Sequence, residues 1–148
     1  MEELLRYVML AVFSLAIVTV AVGGLVTPVS GMWRDGDRII ELTQFLAFVR
    51  GTCKRPGGLE TYQGVALFGF LRLSRMASGS EYLASLGFAP EAARLIHGQP
   101  MALLRFRVYR GELLGDFEGR HFSFDLAPPK LRRISKLERE PRHWQRVV

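Results

Sequence analysis

Leu4–Leu25 reads LLRYVMLAVFSLAIVTVAVGGL, apolar along almost its whole length and carrying one charge, Arg6, near its start. A helix rises 1.5 Å per residue, so about 20 apolar residues are what a helix needs to cross the hydrocarbon core of a bilayer. The stretch therefore predicts a single transmembrane helix, and with it a chain organised as an anchor followed by a domain. The rival is a secretory signal peptide, which has a basic start, a short apolar centre and a small-residue cleavage site. Ala21-Val22-Gly23 would serve as such a site, but the start, Met1-Glu2-Glu3, is acidic and the apolar run is long for that role. The expectation is a retained anchor over residues 1–30. Gly23, Gly24 and Pro28 are expected to end or kink the helix, and Trp33 to sit as an aromatic at the membrane interface.

Charge divides the remainder. The formal net charge is +6, of which residues 1–30 contribute −1 and residues 31–129 only +2. Residues 130–148, KLRRISKLEREPRHWQRVV, hold seven basic and two acidic groups. Leu131, Ile134 and Leu137 recur there at helical spacing, and Pro128-Pro129 precedes them. The reading is a basic amphipathic tail separate from the domain. Its cations, Lys130, Arg132, Arg133, Lys136, Arg139, Arg142 and Arg146, are the candidate contacts to a partner protein, to anionic lipid or to nucleic acid. Arg34 and Arg38 follow the anchor closely while only Arg6 precedes its centre, so the count of basic residues favours the domain on the cytosolic or matrix side.

The middle, residues 31–129, reads as a small α+β domain. Asp35 to Val49 places Ile39, Leu42, Leu46 and Val49 on one helical stripe, joined by Phe45, and Lys54-Arg55-Pro56-Gly57-Gly58 stops it. Val65 to Leu73 reads as one strand. Ser80 to Leu86 and Pro90 to His97 read as short helices, punctuated by Gly87, Pro90 and Gly98. In Ala102 to Tyr109, Ala102, Leu104, Phe106 and Val108 alternate with Leu103, Arg105, Arg107 and Tyr109. Arg110-Gly111 and Glu118-Gly119 read as tight turns, and Arg120 to Leu126 as a further strand with Phe122, Phe124 and Leu126 inward. The fold class expected is an N-terminal transmembrane helix, an antiparallel β-meander with two or three short helices, and the basic tail.

Chemistry is hard to find. His121, Ser123 and Asp125 sit at i, i+2 and i+4, which on a strand separates neighbours on one face by about 7 Å. A working triad needs hydrogen-bond contact. The lone Cys53 beside Lys54 and Arg55 reads as a free thiol in a loop, and one cysteine excludes an internal disulfide. The three histidines show no metal-ligand spacing, and the glycines form no phosphate-binding loop. No catalytic, cofactor or metal residue is assigned. Arg outnumbers Lys 17 to 3, and there is no Asn and hence no N-glycosylation acceptor.

Two resemblances attach to particular residues. EYLASLGFAPEAARLI, residues 81–96, resembles the helix–Leu-Gly-Phe–helix of small three-helix ubiquitin-binding domains, although a strand follows in place of a third helix. The order of apolar helix, helical continuation over 35–49 and β-rich head resembles type IV pilins, which would imply a filament subunit; the Phe-x-x-x-Glu start of that family is missing. The reading preferred over these is a non-catalytic accessory subunit of a larger membrane complex. A membrane-tethered binder of nucleic acid or anionic lipid through residues 130–148 is the other alternative.

Overall fold

The computed structural model describes the backbone of residues 1–148 and every side chain except those of residues 20–23 and 126. The alternation over Ala102–Tyr109 is realised as part of a strand, and it is one of eight. In chain order they are β1 (Gly31–Asp35), β2 (Arg38–Phe45), β3 (Phe48–Arg55), β4 (Gly58–Leu67), β5 (Phe70–Met76), β6 (Pro100–Tyr109), β7 (Glu112–Leu126) and β8 (Pro129–Arg146). Each pairs antiparallel with the next, and β8 returns to β1 through Trp33↔Arg146 and Arg34↔Gln145, closing a barrel. Helix α1 (Glu2–Leu25) precedes the barrel. Two short helices, α2 (Ser80–Ser85) and α3 (Pro90–Ile96), fill the β5–β6 connection where the Pro and Gly punctuation placed them.

An eight-stranded barrel has an interior just wide enough for side chains to fill. Here it is filled by Trp33, Ile40, Leu42, Val49, Cys53, Tyr62, Leu71, Leu73, Leu104, Phe106, Leu113 and Trp144. Trp144 packs against Phe106 with ring centroids 4.8 Å apart and meets Tyr62 edge-on at 6.0 Å. Two strand glycines admit the curvature: a Cβ on Gly64 would lie 1.8 Å from the carbonyl oxygen of Arg72, and one on Gly115 would lie 1.7 Å from that of Arg105. Outside the wall, Glu41, Arg50, Gln63, Arg72 and Arg107 are exposed.

Several expectations are corrected. The helix over 35–49 is absent: β2 and β3 form a hairpin there, burying Ile40, Leu42, Val49, Gly51 and Cys53 by strand alternation. Residues 65–73 are two strands around a tight turn at Phe68-Gly69. Glu118-Gly119 is no turn but a register shift inside the continuous β7. Trp33 is 1% exposed in the lumen, its Nε1 donating to the carbonyl of Val29 at 2.8 Å, so it is no interfacial aromatic. Cys53 lies on β3, also lumenal, not in a loop. The largest correction concerns residues 130–148. They form no amphipathic helix and no separate tail: Lys130 to Arg146 belong to β8, paired with β7 from Leu126↔Pro129 to Glu112↔Gln145. Of the expected core, Leu104, Phe106 and Phe122 are buried, while Val108 and Phe124 are partly so. The inward expectation for Leu126, and the cleavage-site reading of Ala21-Val22-Gly23, fall outside the described side chains.

Up-and-down topology sorts the turns into two ends. The β1–β2, β3–β4 and β7–β8 turns and the two short helices share the far end. The β2–β3, β4–β5 and β6–β7 tips share the near end, where α1 joins. Beyond Gly119, β7 leaves β6, and there β7 and β8 continue as a two-stranded arm. Phe122, Phe124 and Leu131 of this arm pack with Tyr82, Leu83, Phe88, Ala93 and Ile96 in a second small core under α2 and α3.

Candidate interaction surfaces

The seven cations of residues 130–148 lie along one strand, yet they fall into two groups. Three are occupied in the barrel wall. Arg139 Nε donates to Glu118 Oε2 at 3.2 Å, and Arg142 Nη2 donates to Glu140 Oε2 at 3.1 Å with its guanidinium 5.1 Å from the Phe117 ring centroid. Arg146 donates to the carbonyl of Ser30 at 3.0 Å and lies over Trp33 at 5.0 Å. The other four, Lys130, Arg132, Arg133 and Lys136, are exposed on the arm and make no ion pair among the described residues. Ile134 and Leu137 beside them are 42% and 54% exposed. Basic residues on an open strand edge also blunt unwanted pairing between chains.

Glu118 is the pivot between wall and arm. It is 3% exposed, with Arg120 Nη2 at 3.3 Å and Arg105 Nη2 at 3.9 Å besides Arg139. The Arg139 hydrogen bond, first, and the surrounding cations hold its carboxyl below the ordinary 4.5, against the opposing effect of burial. The folded protein thus holds this proton less tightly than the unfolded chain. Its stabilising contribution is complete above about pH 5 and is lost as pH falls through the lowered folded value. Urea titrations between neutral and acidic pH should show the wild type losing stability more steeply than Glu118→Gln. Equal slopes would remove Glu118 from the acid response.

A second polar cluster closes the far end of the lumen. Glu60 is 1% exposed, accepts a hydrogen bond from the Tyr62 hydroxyl, and has Arg75 Nη1 at 3.6 Å and Arg55 Nε at 3.9 Å. Burial, then the Glu60 carboxylate, push the Tyr62 hydroxyl and the Cys53 thiol upward. A buried thiol with raised pKa is a poor nucleophile. His121, Ser123 and Asp125 stand on the arm opposite Ser135, Arg133 and Lys130, with no hydrogen bond among the three in the described residues. No three His, Cys, Asp or Glu side chains among the described residues are grouped to hold a metal.

The near end is the surface that the sequence did not reveal. Its three tips carry Phe45, Leu46 and Phe48, then Phe68 and Phe70, then Tyr109 and Arg110. The six apolar side chains are 51–77% exposed. Leu46, Phe68 and Arg110 adopt φ of 53°, 54° and 45°. Left-handed backbone costs a residue with a Cβ about 1–2 kcal/mol, and Asn, Asp or Gly are the usual choices in such turns. The far-end β1–β2 turn conforms, with Gly36 at φ 62°. The segment leaving α1 is pinned to these tips. Leu25 O accepts from Phe68 N at 2.9 Å, Thr27 Oγ1 accepts from Gly69 N at 2.7 Å, and Gln44 bridges Val29 N, Thr27 O and Leu46 O at 2.8–2.9 Å.

Helix α1 itself runs through Gly24 to Leu25, with Pro28 beyond its end. Its large apolar side chains between Leu4 and Val18, namely Leu4, Leu5, Tyr7, Val8, Met9, Leu10, Val12, Phe13, Leu15, Ile17 and Val18, are all at least 50% exposed, and Leu25, where the helix meets the barrel, is 44% exposed. Among the described residues no helix is long and apolar enough to cross a membrane; the described portion of α1, residues 2–19, includes Glu2, Glu3 and Arg6.

No protein-family model, no curated protein and no solved structure matches this chain.

Proposed function

We propose that this protein is a non-catalytic, membrane-anchored accessory subunit: α1 tethers the barrel to a bilayer as a single span, and the basic arm engages another subunit of a membrane complex. The observation that carries the reading is the contrast between α1 and the barrel. Among the described residues, no side chain of α1 belongs to either of the barrel's two cores. Beyond Arg6, the described helical side chains from Tyr7 to Val18 are largely apolar all round and uncovered, a pattern that belongs in lipid or in the centre of a larger assembly. Its 24 residues extend about 36 Å, against about 30 Å of hydrocarbon. The barrel itself is apolar inside and charged outside, the reverse of a transmembrane barrel. With the domain on the cytosolic or matrix side, the arm's four cations, which make no ion pair among the described residues, present a surface for an acidic partner.

The filament reading is weaker than the sequence made it, since the helical continuation over 35–49 is a β-hairpin. A binder of nucleic acid or anionic lipid through the arm remains the second reading, favoured by the same four cations. Membranes carrying the full-length protein decide between them. Alkaline carbonate should leave the protein in the pellet, and gentle extraction should recover stoichiometric protein neighbours. Arg132→Glu with Arg133→Glu should leave it membrane-bound but strip those neighbours, with the wild-type contact weakened by salt. Release by carbonate would remove the anchor. Unchanged neighbours in the double variant would remove the arm from the contact, and co-purified nucleic acid would favour the second reading.

A further inference from the structure

We infer that the barrel stands directly on the bilayer, with its three near-end tips seated in the interfacial layer beside the anchor. This rests on the reading of α1 as a membrane anchor and adds an orientation and a second membrane contact to it. Four observations converge. The tips expose Phe45, Leu46, Phe48, Phe68, Phe70 and Tyr109 together at one end, while the far-end turns are built from Asp35-Gly36-Asp37 and Arg55-Pro56-Gly57. Clustered apolar exposure of this kind marks a contact surface, and aromatic side chains favour the headgroup level. Leu46 and Phe68 occupy left-handed positions that turn chemistry alone would give to Gly or Asn, so apolar character is kept there against backbone preference.

The occupant is identified by what is attached. Leu25, the last residue of α1, is bonded through its carbonyl to the amide of Phe68, so any bilayer that holds the helix must begin at the level of these tips. The hydrogen bonds of Thr27 and Gln44 to both hairpins deny the helix a long flexible tether. Behind the apolar tips stand exposed Arg50, Arg72 and Arg107, and Arg110 at the β6–β7 tip lies with its guanidinium 5.2 Å from the Tyr109 ring centroid. An apolar tip layer backed by arginines matches the order of acyl boundary and lipid phosphate. The far-end arm, with its cations, is then held away from the membrane and free to meet a protein.

Depth-dependent quenching of the full-length protein in nanodiscs of phosphatidylcholine and phosphatidylglycerol tests this. An environment-sensitive label is attached in turn at Phe45→Cys, Phe68→Cys, Tyr109→Cys, the far-end Asp37→Cys and the helical Leu15→Cys. The buried Cys53 stays in place, with unsubstituted protein as the labelling control. Buried Trp33 and Trp144 report by their emission that each variant is folded, and any one tip suffices if another fails. Labels at the tips should lose most of their emission to lipids carrying a shallow doxyl group, and the label at Asp37 should keep its own. Tip labels no more quenched than Asp37 would overturn the inference. If Leu15 is then still quenched by deep doxyl lipids, the anchor stands and only the seating fails. If Leu15 is also dry, the anchor fails with it. Quenched tips with a dry Leu15 would uphold the seating and remove the span.

Discussion

Truncation after Pro129 is expected to destroy the barrel, not to trim a tail. Without residues 130–148, β7 loses its β8 neighbour along its length and keeps only β6 from Glu112 to Gly119, while β1 loses its closing neighbour. The lumen loses Trp144, which is 1% exposed and packs against Phe106 and Tyr62. Removing one buried aromatic side chain costs about 3–5 kcal/mol, and whole domains are stable by only about 5–15 kcal/mol. The loss of a ladder and that indole together exceeds what the remaining seven strands can supply. Circular dichroism and Trp33 emission of the detergent-solubilised truncated chain should show no cooperative transition and a solvent-exposed indole. A sharp unfolding transition with Trp33 still buried would mean that the barrel closes without β8.

The same segment shows why sequence periodicity misleads here. Leu131, Ile134 and Leu137 are spaced as on a helix, but Leu131 packs under α2 and α3 while Ile134 and Leu137 are exposed. A strand that leaves its barrel as an arm is wet on most of its length, so it shows no alternation for a reader to find. Residues 35–49 misled for a related reason. Within β2 and β3 the buried positions do alternate, as Ile40, Leu42 and then Val49, Gly51, Cys53. The turn between them is Leu46-Ala47, with none of the usual turn residues, and exposed Phe45 and Leu46 completed a helical stripe that the fold does not use. Phe68 at φ 54° hid the β4–β5 turn likewise. The interior of Ala102–Tyr109, the Arg110-Gly111 turn and the two short helices were legible because alternation, Gly and Pro act locally there.

The candidate interaction surfaces divide in the same way. The cations of β8 were visible as composition, but not which were committed: only the register of β7 on β8 shows Arg139 turned to Glu118 and leaves Lys130, Arg132, Arg133 and Lys136 on the arm. The apolar rim was invisible because three separate hairpins assemble it. The features that spoiled the secondary-structure reading, apolar residues at turn tips, are the ones that compose the rim. Local preference and fold disagree there, and such disagreement concentrates at functional positions.

Phe106→Ala and Arg107→Ala, one residue apart on β6, should separate cleanly. Phe106 is 1% exposed, faces the lumen opposite Leu71 and Gly115, and lies 4.8 Å from the Trp144 ring centroid. Gly115 has no side chain to fill the space that Phe106 would leave, and no Cβ can be accommodated there against Arg105 and Phe106. The cavity would therefore stay open, and the loss should reach about 3–5 kcal/mol. Arg107 points outward between Phe70 and Leu114 and makes no ion pair among the described residues. Its removal in detergent should stay within about 0.5 kcal/mol. Urea unfolding followed by emission of Trp33 and Trp144 measures both. Because the side-chain period of a strand is two, a slip of one residue would exchange the two faces. Equal losses, or a larger loss at Arg107, would mean that the register of β6 is wrong, and with it the placing of Arg107 behind the rim.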